Sequence, residues 1–351
     1  MMIDREILKF IDLSTTGRAT AAAWLFKLGL PCSIRRAIKG GEWVYWSRLF
    51  PDLEWFYRRL RDEQSRRLLV ALLAFRVTQP GTVALPWRGR GIRWATALAP
   101  KGSTALETGF RALTLHRMRY NEVGYDVELY RPLHRPCTIF ELEQYADWSS
   151  GLSVEPGDCV IDGGGCYGDS AAYFASKAGP SGRVFSFEFD PVNVDIFRAN
   201  MSLNPDLARR ITLCESPLWS SSGVRLNFTS DGPATRLQQD AAGDGRQYFR
   251  ETACIDDLRR ARGIPHIDFI KMDIEGAEPD ALRGAARTIR ECRPKMALCI
   301  YHKPDHYFEL ARLIDSIAPG YEFSLGQMTD MEWETVLYAD PVHRPPATCE
   351  G

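Results

Sequence analysis

The chain has 351 residues, enough for roughly two domains of 100–200 residues each and for a large buried core. Its 44 Lys and Arg balance 45 Asp and Glu, a formal charge of −1, which argues against nucleic acid as the partner. The nine cysteines form no CxxC pair and no Cys/His cluster at metal spacing, and no apolar stretch approaches eighteen residues, so the expectation is a protein of the reducing cytoplasm without a membrane span.

From Met1 to about residue 120 the pattern reads as a mainly helical region, broken by Pro31, Pro51, Pro80 and Pro86, that shapes an acceptor pocket or an oligomer contact. Thr20 to Leu30 is apolar but too short to span a bilayer. Asp52 to Leu73 is its clearest helical stretch, with Leu53, Phe56, Leu60, Leu68, Leu69, Leu72 and Leu73 as apolar faces. Trp43, Trp46, Phe50, Trp55 and Phe56 read as core before they read as a ligand platform. Arg58-Arg59-Leu-Arg61 and Arg88-Gly-Arg90-Gly-Ile-Arg93 are locally basic and read as solvated surface. Gly124 to Tyr130 alternates like a strand, and Phe140 to Tyr145 reads as a short helix.

Residues 121–351 are expected to form the second domain, where apolar runs and helical runs alternate as they do in a parallel sheet with crossover helices. The expected strands are Asp158 to Asp162, Arg183 to Glu188, Ile211 to Cys214, Ile267 to Met272 and Lys295 to Tyr301. Helices are expected from Asp169 to Lys177 and from Pro191 to Leu203. Val224 to Thr229 is an extra extended piece, followed by a loop rich in Gly and Asp from Asp240 to Gly245. Tyr321 to Leu325 and Thr335 to Ala339 read as an antiparallel hairpin closing the sheet.

The organising stretch is Asp158-Cys-Val-Ile-Asp-Gly-Gly-Gly-Cys-Tyr-Gly168: a strand, a carboxylate, three glycines and the start of a helix. Backbone without Cβ atoms can approach a ligand closely at a helix N-terminus, where free amides lie. Gly163-x-Gly165-x-x-Gly168 also satisfies the dinucleotide fingerprint, with Glu188 about twenty residues on, so a dinucleotide and an adenosyl cofactor both remain open on the turn alone. Ligands of open parallel sheets lie beyond the carboxyl ends of the strands, and here those ends carry Asp162, Glu188, Asp273 and His302. Glu188 is placed to accept hydrogen bonds from ribose hydroxyls. Asp162 needs a donor, which a cofactor ammonium or the turn's own amides would supply, and an acid there tilts the choice toward an adenosyl cofactor. Glu275 and Glu278 read as acids favoured by a helix dipole, and His302 as a group titrating near neutrality at the mouth of the crevice.

Asp162 to Gly168, Phe187-Glu188, Ile255-Asp256-Asp257-Leu258 and above all Phe269-Ile-Lys-Met-Asp-Ile-Glu-Gly-Ala-Glu278 resemble the FkbM family of S-adenosylmethionine-dependent methyltransferases. Tyr301-His302-Lys303-Pro304 and Glu334-Thr-Val-Leu-Tyr338 are similar to one branch of it, and the resemblance spans about Phe140 to Ala339. It implies an α/β class I methyltransferase fold, Rossmann-like, with a mostly parallel sheet. It also implies methylation of a hydroxyl on a sugar, glycan or polyketide-like natural product. Carried over by position, Asp162, Gly163, Gly164 and Gly168 match the cofactor turn, Glu188 the ribose acid and Asp273 the acid beside the cofactor's methionine part. Gly165 departs from the alanine frequent in the family, and Trp219-Ser220 from a serine–acid pair.

The expected chemistry is in-line methyl transfer from S-adenosyl-L-methionine to a small-molecule or carbohydrate hydroxyl, with His302 as leading base and Asp273 second. A divalent metal held by Asp273 and His302 is an alternative, for which two ligands are too few. The rival readings are an NAD(P)-dependent oxidoreductase and a non-catalytic cofactor-binding scaffold. Acceptor identity and homo-oligomer formation stay open.

Overall fold

Apolar runs too short for helices and punctuated by Gly and Asp become strands, and the small-residue runs between them become crossover helices. In a computed structural model of the chain the described residues are 2–16, 38–79, 81–86, 105–108, 114–132, 138–238, 247–330 and 333–343. The expectations for Thr20 to Leu30, Arg88 to Arg93 and Asp240 to Gly245 lie outside them. In chain order the strands are β1 (Ala105–Glu107), β2 (Thr114–Arg119), β3 (Glu128–Arg131), β4 (Cys159–Gly163), β5 (Arg183–Phe187), β6 (Ile211–Cys214), β7 (Arg225–Thr229), β8 (Leu237–Gln238), β9 (Gln247–Glu251), β10 (Phe269–Met272), β11 (Lys295–Cys299), β12 (Tyr321–Gln327) and β13 (Thr335–Pro341).

Seven of them form one mixed sheet in the order β12-β13-β11-β10-β4-β5-β6. The run from β11 to β6 is parallel, with Met272 opposite Gly163 and Gly163 opposite Phe187. β4, β5 and β6 are laid down in one direction and β10 and β11 in the other, so the winding reverses between β4 and β10, where a crevice opens in such sheets. The loop from Gln327 to Thr335 is too short for a crossover, which leaves β12 and β13 antiparallel. The α/β class I methyltransferase architecture with a C-terminal hairpin is therefore present. Two small antiparallel sheets, β1-β2-β3 and β8-β7-β9, are additions: the sequence reading foresaw β7 and, at Gly124 to Tyr130, a strand of which only the last part is realised as β3, but not their partners.

The chain forms two compact units. The first comprises Met1–Arg90, Ile300–Arg312 and Glu322–Ala339. Its core holds Ile3, Ile7, Leu53, Phe56, Leu69 and Leu72, all at 0% exposure, each worth about 1.5–3 kcal/mol on full burial. Trp46 and Phe50 are buried as core, and Trp46 meets Tyr307 edge to face at 5.8 Å. The expected stretch Asp52 to Leu73 is two helices, Phe50–Arg59 and Glu63–Val77. The break follows from Asp62, whose carboxylate accepts from the Ser65 N–H at 2.7 Å and caps the second helix, while Leu60 pairs with Phe323. Arg58 lies on the solvated face, paired with Glu54.

The second unit comprises Gly91–Cys299, Leu313–Tyr321 and Asp340–Gly351. Its helices Asp169–Ala178 and Pro191–Leu203 agree with the sequence reading to within a residue. Asp190 caps the latter through the Val192 N–H at 2.8 Å. The helix expected at Phe140 to Tyr145 is instead Thr138–Glu141, ended by Glu143 in the left-handed region at φ +46°. Glu143 accepts from Tyr125, Trp148 and Lys177, which ties this segment to the helix Asp169–Ala178. The fifth parallel strand stops at Cys299, short of Tyr301. No helix among the described residues is long and apolar enough to cross a membrane.

Candidate functional site

The site grows from the β4 carboxyl end, where the chain must leave the sheet within van der Waals reach of its neighbours. A Cβ on Gly164 would lie 1.9 Å from the Asp273 carbonyl oxygen, and its φ of +77° is left-handed. A side chain is therefore excluded twice, by strain and by the backbone of the strand alongside. A Cβ on Gly165 would lie 2.2 Å from the Ser186 hydroxyl. An alanine at this position would collide with that serine.

Asp162 is 0% exposed and meets side chains rather than the turn's own amides. The Ser170 hydroxyl donates to both its oxygens at 3.0 Å, the Ser186 hydroxyl donates at 2.7 Å, and the Lys271 ammonium lies 3.2 Å away. Lys271, at 1% exposure, also donates to the Gly163 carbonyl at 3.0 Å and the Gly164 carbonyl at 2.6 Å. Burial alone would lower its pKa, but the Asp162 and Asp273 carboxylates outweigh that and hold the ammonium above the usual lysine range. None of the three side chains was singled out from the sequence. A lysine inside the apolar strand Phe269-Ile-Lys-Met272 was the available signal, since a buried charge requires a partner.

The turn's amides are largely committed. The Gly164 and Gly165 N–H groups both donate to the Phe187 carbonyl, at 3.0 and 2.9 Å, and the Cys166 N–H donates to Glu188 Oε2 at 2.9 Å. The expectation of free amides facing a ligand does not hold for these three residues, because β5 lies close enough to take them. Gly168, at φ +81°, packs on Phe197 and caps the helix Asp169–Ala178. On the outer side Asn200 clamps the Tyr167 carbonyl at 2.7 Å and the Tyr130 N–H at 2.6 Å, joining the turn to β3.

Glu188 follows β5 directly and is 7% exposed. Its Oε1 accepts from the Phe189 N–H at 2.7 Å and the Asp190 N–H at 2.8 Å. Burial pushes its carboxyl up to about 7, against these backbone donors, which favour the charged form. Asp273 ends β10, half-buried, and its N–H donates to the Gly163 carbonyl at 3.1 Å. Thus Asp162, Gly163, Gly164, Gly168, Glu188 and Asp273 converge on one edge of the sheet. The next residues form a tight loop in which Glu275 is left-handed at φ +56° and pairs with Arg236 at 3.1 Å. Glu278 opens the helix Glu278–Arg283, as an acid in a first turn, and its buried carboxylate accepts from the Ile274 N–H at 3.0 Å.

His302 belongs to the first unit, half-buried in the turn after β11, its ring 4.3 Å from that of Tyr301. In the same unit Asp305, His306 and Glu309 each bring a ligand atom within 4.8 Å of the others. Acids at the start of a helix such as His306–Ile317 are stabilised by its dipole without any ion, and Asp273 is not part of that group.

The model of the methyltransferase FkbM domain matches residues 162–330. The chain is 30% identical over 157 residues to the 2-O-methyltransferase NoeI of Sinorhizobium fredii, covering 40% of this chain and 63% of that protein. The crystal structure of methyltransferase FkbM from Methylobacillus flagellatus superimposes with a TM-score of 0.55 at 24% identity, covering 85% of this chain and 60% of that one. The chain thus spans less than two thirds of the length of either relative. Residues 162–330, with the glycine turn at one end and the β10 block within, are thus similar to the methyltransferase FkbM domain.

Proposed function

We propose that the chain is an S-adenosyl-L-methionine-dependent O-methyltransferase acting on a hydroxyl of a sugar, glycan or polyketide-like natural product. The observation that carries the cofactor is the chemistry of the turn. The Gly164, Gly165 and Cys166 amides are bonded to Phe187 and Glu188, and the acids at the strand ends are Glu188 and Asp273, while Asp162 and Asp169 are paired with Lys271 and Arg131. A pyrophosphate needs amide donors and is repelled by acids, whereas a sulfonium with an ammonium is favoured by them. The residues fit such a ligand: Glu188 would accept from its ribose hydroxyls, and Asp273 would face its methionine part. A hydroxyl acceptor is supported by the 2-O-methyltransferase relative.

S-adenosyl-L-methionine, when bound, supplies an already activated methyl group. The protein's contribution is then alignment of the acceptor oxygen, worth up to about 7–11 kcal/mol, and removal of its proton, worth roughly 10²–10⁴-fold. His302 is the leading base and Asp273 the second. Titration calorimetry with S-adenosylhomocysteine and separately with NADH tests the cofactor. Micromolar binding of the first alone supports the reading, and binding of NADH alone replaces it with an oxidoreductase. With an accepted substrate in hand, His302→Ala should lower turnover by about 10²-fold or more at unchanged cofactor affinity. Unchanged turnover removes His302 from the mechanism, and cofactor binding without turnover on any hydroxyl acceptor leaves a scaffold.

A further inference from the structure

A lysine in the middle of a fully buried strand is costly unless its ammonium accomplishes something a methionine could not. Lys271 faces two successive carbonyls, those of Gly163 and Gly164. The amides at the far ends of the same two peptide planes, Gly164 N–H and Gly165 N–H, both donate to the Phe187 carbonyl. Each plane is thus held at both ends, by the ammonium on the β10 side and by a strand carbonyl on the β5 side. Asp162 neutralises the ammonium, so the pair places no net charge behind a site that takes a cationic ligand. The Tyr145 ring, 5.3 Å from Nζ, covers the cation.

We infer that Lys271 is a positioning residue for the cofactor: its ammonium orients the Gly163–Gly164 and Gly164–Gly165 peptides, and this orientation sets cofactor affinity in addition to supporting the fold. The inference rests on the S-adenosylmethionine reading. Its physical basis is that a glycine pair has the widest backbone freedom of any dipeptide, so the surface offered to the ligand is defined only if the planes are fastened from behind. Asp162 offsets the charge of Lys271, and the contacts to both carbonyls are made by Lys271 itself.

The experiment measures S-adenosylhomocysteine affinity by calorimetry and thermal unfolding in parallel, on the wild-type chain, Asp162→Asn, Lys271→Met and the double variant Asp162→Asn/Lys271→Met. Lys271→Met alone strands a buried carboxylate and is expected to lose stability. The double variant removes both charges and should unfold close to the wild-type temperature, yet bind at least about tenfold more weakly. Asp162→Asn keeps the ammonium on both carbonyls and should bind within about threefold of wild type. A stable double variant with wild-type affinity overturns the inference, because Lys271 would then serve the fold alone. Should the double variant not fold, the Asp162→Asn arm decides, and a tenfold loss there overturns it. Absence of binding by the wild-type chain is a different outcome and refutes the cofactor reading instead.

Discussion

Lowering the pH through 7 should weaken cofactor binding while it stabilises the folded chain, and one carboxyl produces both effects. Burial pushes Glu188 up to about 7 from an ordinary value of 4.5. Ribose hydroxyls donate most strongly to the ionised carboxylate, so binding selects the charged form. A group with a pKa near 7 is roughly nine-tenths ionised at about pH 8 and one-tenth at about pH 6. Affinity for S-adenosylhomocysteine should therefore fall about tenfold across that interval. Stability runs the other way. Between 4.5 and about 7 the folded chain holds a proton that the unfolded chain has released, so stability declines as the pH rises through that window, by up to about 3 kcal/mol. Calorimetry in buffers of differing ionisation enthalpy should detect proton release on binding near pH 7, and urea unfolding across the same range gives the stability arm. Glu188→Ala should bind more weakly at about pH 8 and lose the pH dependence. Affinity that is flat from about pH 6 to about pH 8, or an unaltered profile in Glu188→Ala, refutes the reasoning.

Two substitutions in the turn test its packing. Gly164→Ala places a methyl carbon on the Asp273 carbonyl in a left-handed conformation, and should cost about 2–5 kcal/mol in urea unfolding with a parallel loss of cofactor affinity; a cost below about 0.5 kcal/mol contradicts the close approach of β4 and β10. Gly165→Ala should displace the Ser186 hydroxyl from Asp162 and cost about 1.5–3 kcal/mol. Adding Ser186→Ala should recover part of that loss, a coupling a double-mutant cycle reads directly, and strict additivity of the two changes is the contrary result.

The sequence by itself determined the local plan. Period and punctuation mark β4, β5, β6, β10 and β11 to within one or two residues, because an apolar run bounded by Gly and Asp has few other ways to bury itself. The acids at Asp162, Glu188 and Asp273 were legible for the same reason, since a charged residue closing such a run must lie at a strand end. The break at Leu60 was legible in principle from Asp62 as a cap before Ser65, a short-range signal hidden by apolar residues on either side.

Only the tertiary structure decided which strand ends meet. Lys271 and the Gly163 carbonyl are 108 residues apart in the chain, and their contact depends on β10 pairing with β4 in the register Met272 opposite Gly163. Register is set by packing summed over the whole sheet, and no local pattern encodes it. The same holds for the turn: glycine spacing shows that its backbone can be approached closely, but whether a ligand or a neighbouring strand makes that approach depends on how near Phe187 and Asp273 lie. A three-glycine turn beside a strand-end acid is compatible with a phosphate cradle and with an adenosyl site. Which partners surround it, Lys271 and Phe187 behind and Glu188 at its edge, is decided by the pairing of β10, β4 and β5.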